Sequence, residues 1–254
     1  MITQQKTPAL ARLTELIDKA RFPRVEVCAD GYADVLGGTA PPARTFAQRL
    51  MRTTAYSTGY QALRPLGLRL AGGPNAPGRD RDREQVADAL ALVPGRVVVD
   101  IGCGPGNFTG WFGTRVAPNG CAIGIDASRQ MLHRACADNG GESVAYLRAD
   151  AEDLPLRDGV ADAVTCLAAL YLINDPHRAL SEIARILRPG GRVVVLTSLA
   201  PGGVDSLRSR AIGGAGGVRM FGRDEITSAL SDLGFTSIDQ WCGGLAQKVT
   251  ATKS

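Results

Sequence analysis

The pattern of apolar and polar positions changes character near residue 84. Before it the pattern is broken. Leu10, Leu13, Leu16 and Ile17 recur at helical spacing within residues 8–22. VEVCADGYADVLGGTAPP then carries the Gly and Pro punctuation of a short hairpin or loop. Residues 43–71 predict one or two helices, which Pro65 breaks or kinks. GGPNAPGRDRDR, at 72–83, reads as a linker, so the chain divides into an N-terminal, mainly helical extension (1–78) and a main domain (79–254).

From residue 84 the rhythm is regular. EQVADALALV is an amphipathic helix. Short β-branched runs follow at 96–101, 121–126, 144–150, 163–170, 192–199, 236–241 and 245–252. Between them lie the helical stretches NFTGWFGTRV, SRQMLHRACAD, PHRALSEIARIL and DEITSALSDL. Several runs are apolar without alternation, as expected of strands covered on both faces. Alternating strands and helices predict a doubly wound, mostly parallel α/β sheet.

Composition narrows the function classes. The 254 residues suit one large domain, or one domain with an appendage. The net charge is only +4 and no dense Lys/Arg run occurs, so a nucleic-acid partner is not expected. None of the six cysteines stands in a C-x-x-C pair, so no zinc site or redox motif is signalled and no metal is expected. With no signal-peptide pattern and no apolar run long enough to span a bilayer, a cytoplasmic protein, monomeric or homodimeric, is the expectation.

The chemistry concentrates in VVDIGCGPGNFT, residues 98–109, which places Gly102, Gly104 and Gly106 between a strand and a helix. Taken alone, the loop reads equally as a tight turn and as a backbone cradle at a helix N-terminus. Its spacing differs from the G-x-G-x-x-G of dinucleotide sites, because the third glycine comes one residue early and Asp100 precedes the first. An acid there suits an amino-bearing ligand better than a pyrophosphate. Two further acids end the next strands: Asp126 in GIDAS, placed to accept ribose hydroxyls, and Asp150 in RADAEDLPL, placed beside the same crevice.

Together, VVDIGCGPGNFT, GIDAS, RADAEDLPLRDGVADAVTC and LRPGGRVVV resemble, in order, the motifs of class I S-adenosylmethionine-dependent methyltransferases. The nearest likeness is to the type 11 group that includes the ubiquinone/menaquinone C-methyltransferases. The resemblance covers roughly residues 84–250. It implies a seven-stranded sheet in the order 3-2-1-4-5-7-6 with the last strand antiparallel, and an N-terminal lid. It also implies S-adenosylmethionine as cofactor and S-adenosylhomocysteine as product. Gly102, Cys103 and Gly104, with Asp100 behind them, would hold the amino-acid end. Asp126 would bind the ribose, Ala127 and Met131 would flank the adenine, and Asp150 and Ala151 would read its edge. Leu167 would close the pocket near the sulfonium, and LRPGG would turn the chain into the fifth strand.

The acceptor side is thinner. His133 and His177 read as surface or structural residues. Tyr171, in ALYLINDP, stands where relatives often carry a histidine near the transferring methyl, and is the candidate catalytic residue. Tyr56 and Tyr60 lie four apart on one predicted helix face and are lid candidates. Arg219 and Met220 lie in a second candidate acceptor segment. The leading expectation is methyl transfer to a small, apolar or aromatic metabolite by in-line displacement. Two alternatives are a catalytically silent cofactor-binding partner protein and an NAD(P)-dependent oxidoreductase. The latter lacks the glycine spacing and an evident hydride-transfer pair.

Overall fold

The computed structural model describes residues 7–39, 42–45, 48–49, 79–200, 202–204, 206, 213 and 217–254. In chain order the elements are α1 (Pro8–Leu16), β1 (Glu26–Val27), β2 (Ala33–Asp34), α2 (Arg79–Leu90), β3 (Val97–Ile101), α3 (Asn107–Val116), β4 (Cys121–Asp126) and α4 (Arg129–Asn139). They continue with β5 (Val144–Arg148), β6 (Ala161–Leu167), a 3₁₀ turn (Leu170–Leu172), α5 (Pro176–Ile186), β7 (Leu187–Ser198), α6 (Glu225–Asp232), β8 (Phe235–Gly243) and β9 (Ala246–Lys253).

The strands form one sheet in the order β1-β2-β5-β4-β3-β6-β7-β9-β8. The run from β2 to β7 is parallel, β9 lies antiparallel to β7, and β1 and β8 are antiparallel to their single neighbours. Among the described residues the sheet therefore has nine strands rather than seven. The two extra strands are the short hairpin of residues 26–34, which adds itself beside β5.

The pleat sorts side chains to the two faces. Val97, Val99 and Ile101 of β3, with Ile123 and Ile125 of β4, enter a cluster that also holds Leu13 of α1, Ile183 of α5 and Ile226 of α6. Val98 and Ala122 point the other way, against Leu90 of α2 and Phe112 and Val116 of α3. Central strands buried on both faces are why these runs are continuously apolar. The same alternation sends Asp100 to the α3 side of the sheet.

Helix starts follow from local chemistry. Ser128 caps α4 by accepting from the Met131 amide at 3.4 Å, and Asp175 caps α5 by accepting from the Arg178 amide at 3.0 Å, ahead of Pro176 in the first turn. The LRPGG segment lies inside the bounds of β7 as an irregularity. Ala161 pairs with Leu187 but Ala163 with Arg192, and Gly190 takes a φ of +75° within the extra residues.

Residues 7–39 belong to this sheet and core. Ala9, Leu10, Leu13 and Ile17 are buried in the larger cluster, and β2 pairs with β5. The expectations placed on Tyr56 and Tyr60 lie outside the described residues. No helix among the described residues is long and apolar enough to cross a membrane.

Candidate functional site

A cleft opens at the carboxyl ends of β3, β4, β5 and β6, and the residues singled out for the cofactor all line it. Asp100 comes from β3, and Gly102, Cys103 and Gly104 from the loop that follows. Asp126 ends β4, and Ala127 and Met131 lead into α4. Asp150 and Ala151 follow β5, and Leu167 ends β6.

Within this loop the glycines serve three different ends. Gly102 has φ +68°, and a β-carbon there would stand 2.3 Å from the Ala169 β-carbon, so it lets two loops touch. Gly106, the N-cap of α3 with φ +76°, leaves room for the Tyr146 hydroxyl, which a β-carbon would meet at 2.2 Å. Gly104 has φ +54° with nothing within 4 Å of that position, and it is the one whose missing side chain keeps open space at the cleft. Of the three, Gly102 and Gly106 accommodate neighbouring protein, and Gly104 faces open space.

The loop is stitched to β4. The Gly102 and Cys103 amides donate to the Ile125 carbonyl at 2.8 and 3.0 Å. Asp126 accepts from the Gly104 amide at 3.0 Å and the Ser128 amide at 2.8 Å. These amides fix the orientation of the carboxylate, an acceptor group, at the edge of the cleft. Asp100 is buried and accepts from the Thr109 hydroxyl of α3 at 2.7 Å and the Thr165 hydroxyl of β6 at 2.8 Å. Asp150 accepts from the Glu152 amide at 3.0 Å, which curls the chain after β5 along the cleft.

Burial, and then the charges of Asp126 and Asp100, push the Cys103 thiol well above its ordinary range, so it is neutral. Burial also raises the Tyr146 phenol, which donates to the Asn139 carbonyl at 2.8 Å.

The acceptor-side candidates fare differently. Tyr171 does not line the cleft. It sits in the middle of the 3₁₀ turn, partly buried against the central cluster, while Leu172 and Ile173 line the cleft. With three residues per turn, successive side chains point about 120° apart, so neighbours face different sides. Arg219 and Met220 are also absent from the lining. Arg219 pairs with Glu225 at 2.7 Å and lies over the Phe221 ring, though its amide donates to the Tyr171 carbonyl at 3.1 Å. His133 and His177 stand on the surface against Asp30 and Glu225. Among the described residues no three His, Cys, Asp or Glu side chains come together to hold a metal ion.

Sequence reasoning missed two contributors. Gln48 of the N-terminal segment lines the cleft, donating to the Leu172 carbonyl at 2.6 Å and the Asn174 side chain at 2.9 Å. Ala168 also lines it, in the left-handed region at φ +57°, a strained conformation for a residue with a β-carbon. Neither position has a local signal, because a glutamine in a helical stretch and an alanine after a strand are ordinary.

Residues 99–195 match the family described as methyltransferase domain. A demethylmenaquinone methyltransferase of Symbiobacterium thermophilum is 37% identical over 112 residues, covering 42% of this chain and 45% of that protein. The chain spans about half the length of the curated relatives it matches, or less. Among solved structures, a SAM-dependent methyltransferase from Aquifex aeolicus superimposes with a TM-score of 0.59 at 18% identity, covering 78% of this chain and 98% of that one. The [4+2]-cyclase SpnF superimposes with a TM-score of 0.61 at 20% identity, covering 84% and 98%. Likeness at these identities concerns the fold.

Proposed function

We propose, from the premise that residues 99–195 are a class I S-adenosylmethionine-dependent methyltransferase domain of the type 11 group, that this chain methylates a small, apolar or aromatic acceptor. The observation that carries the reading is the convergence, in one cleft, of ten cofactor positions named from four separate strand ends and the segments that follow them.

The residues present fit the cofactor. Gly104 faces open space in the cleft, which leaves its backbone approachable. Asp100, held by two hydroxyls, suits an ammonium group, and Asp126, oriented by two amides, suits a ribose diol. Asp150 and the Ala151 amide suit the edge of an adenine. When bound, S-adenosylmethionine supplies an electrophilic methyl group on a sulfonium.

The chain's own contribution is then positioning. Leu167, Leu172, Ile173 and Phe108 give the cleft apolar walls that match an apolar acceptor. Neither of the chain's two histidines lines it. On this reading, holding nucleophile and methyl in line carries much of the rate. The name of the Symbiobacterium relative makes a demethylated quinone a first acceptor to test.

The experiment is methyl-labelled S-adenosylmethionine with a panel of phenols, hydroquinones and prenylated aromatics. Label in an organic-extractable product, with matching S-adenosylhomocysteine, is expected. Cofactor binding without transfer to any acceptor would favour the catalytically silent reading.

A further inference from the structure

Arg148 ends β5 with its side chain only 5% exposed, against Asp34 at 2%, the last residue of β2. Burying two charges costs heavily unless the geometry repays it, so such a pair asks for a reason. The guanidinium spends its donors in two directions. Toward the hairpin, Nη1 donates to the two Asp34 oxygens at 3.2 and 2.9 Å and to the Gly37 carbonyl at 2.8 Å, and Nη2 to the Thr39 carbonyl at 3.4 Å. Toward the cleft, Nε donates to the Ala127 carbonyl at 3.1 Å. Asp34 is itself fixed by the Leu36 and Gly37 amides and by Arg129, the first residue of α4.

The Ala127 carbonyl and the Ser128 N–H belong to one peptide unit, which is planar and rigid. Arg148 holds its oxygen end, and Asp126 holds its N–H end at 2.8 Å. Asp126 in turn accepts from the Gly104 amide. A continuous series thus runs from the hairpin through Arg148, across one peptide plane, to the carboxylate and the glycine loop that line the cleft.

We propose that Arg148 is a positioning residue for the cofactor, and that residues 33–39 serve the cofactor side of the site by locking it. This rests on the cofactor reading of the cleft given above. Through the 127–128 peptide, Arg148 sets the direction in which Asp126 presents its carboxylate. The short strand pair beside β5 is on this account part of the binding site, although it does not line it.

The test has two arms. In the first, S-adenosylhomocysteine is titrated by calorimetry into wild type and Arg148→Lys, with the Tm of each measured alone. A lysine keeps the charge toward Asp34 but lacks the planar fork that serves Ala127 at the same time. The expected result is affinity weakened about tenfold in protein that still melts cooperatively. An ion pair with a purely structural role lowers Tm and leaves the affinity of the folded protein unchanged, which overturns the proposal.

The second arm uses wild type alone. Coupling is reciprocal, so saturating S-adenosylhomocysteine should slow amide exchange in residues 33–39 as well as in 124–131. Protection confined to 124–131 overturns the proposal even if the variant does not fold. Wild type that fails to bind S-adenosylhomocysteine rejects the cofactor reading itself, a different outcome from wild type and variant binding alike.

Discussion

Gly102→Ala isolates the contact on which the shape of the cleft depends. Two costs follow from the structure. The first is conformational: φ is +68°, and a β-carbon in the left-handed region costs about 1–2 kcal/mol. The second is steric. The new methyl would lie 2.3 Å from the Ala169 β-carbon, where carbon atoms rest about 3.5 Å apart or more, so one loop must shift by about 1 Å. Ala169 cannot retreat freely. It is 8% exposed, and its carbonyl accepts from the Leu172 amide at 2.8 Å. Overpacking of this kind costs about 1–3 kcal/mol, giving a total of about 2–5 kcal/mol. The assay is urea unfolding of wild type, Gly102→Ala, Ala169→Gly and the double variant, without ligand. Removing the Ala169 methyl abolishes the steric part and leaves the conformational part. Ala169→Gly alone should cost about 0.5–1 kcal/mol. The double variant should therefore be more stable than the sum of the singles by about 1–3 kcal/mol. Strict additivity would refute the claim that Gly102 is a glycine because of Ala169.

Three further outcomes are expected. Burial alone would raise the Glu182 carboxyl, but hydrogen bonds from Arg185 and the Leu154 amide, with the Arg185 charge, outweigh it and hold the group below its ordinary range. A depressed folded value gives stability that is present above the unfolded pKa and lost as pH falls through the folded one. The urea midpoint of wild type should thus fall between about pH 5 and pH 3 by more than that of Glu182→Gln, and parallel curves would contradict this. Burial pushes the Cys121 and Cys166 thiols up to about 12, so both should resist iodoacetamide in the native protein and react once it is unfolded. Tyr171→Phe should keep turnover within about twofold, because Tyr171 packs outside the cleft; a loss of a hundredfold or more would return the hydroxyl to the chemistry.

The parts of the site that were legible in the sequence are those written locally. The acids at the ends of β3, β4 and the segment after β5, and the glycine loop between β3 and α3, are marked by strand runs beside them. Each mark is weak alone, and only their succession at consecutive strand ends is specific. The segment after β6 was legible only in part. A strand read as 163–170 runs past Leu167, where the structure ends it; Ala168 instead takes a left-handed turn and a 3₁₀ turn follows, so that Leu172 and Ile173 line the cleft and Tyr171 does not. Alanines and leucines have no local signature separating a strand end from such a turn. The hairpin at 26–34 was legible as a hairpin or loop, but not its docking beside β5. The Arg148–Asp34 pair joins residues 114 apart and is visible only once the sheet is assembled. Gln48 reaches Asn174 across 126 residues in the same way.

The central claim is that this cleft holds S-adenosylmethionine. It is tested most directly by calorimetric titration of the full chain with S-adenosylhomocysteine and, separately, with NAD. The account predicts saturable one-to-one binding of S-adenosylhomocysteine, abolished or strongly weakened in Asp126→Ala, and no heat with NAD. Saturable binding of NAD, or no binding of S-adenosylhomocysteine to the folded protein, would contradict it.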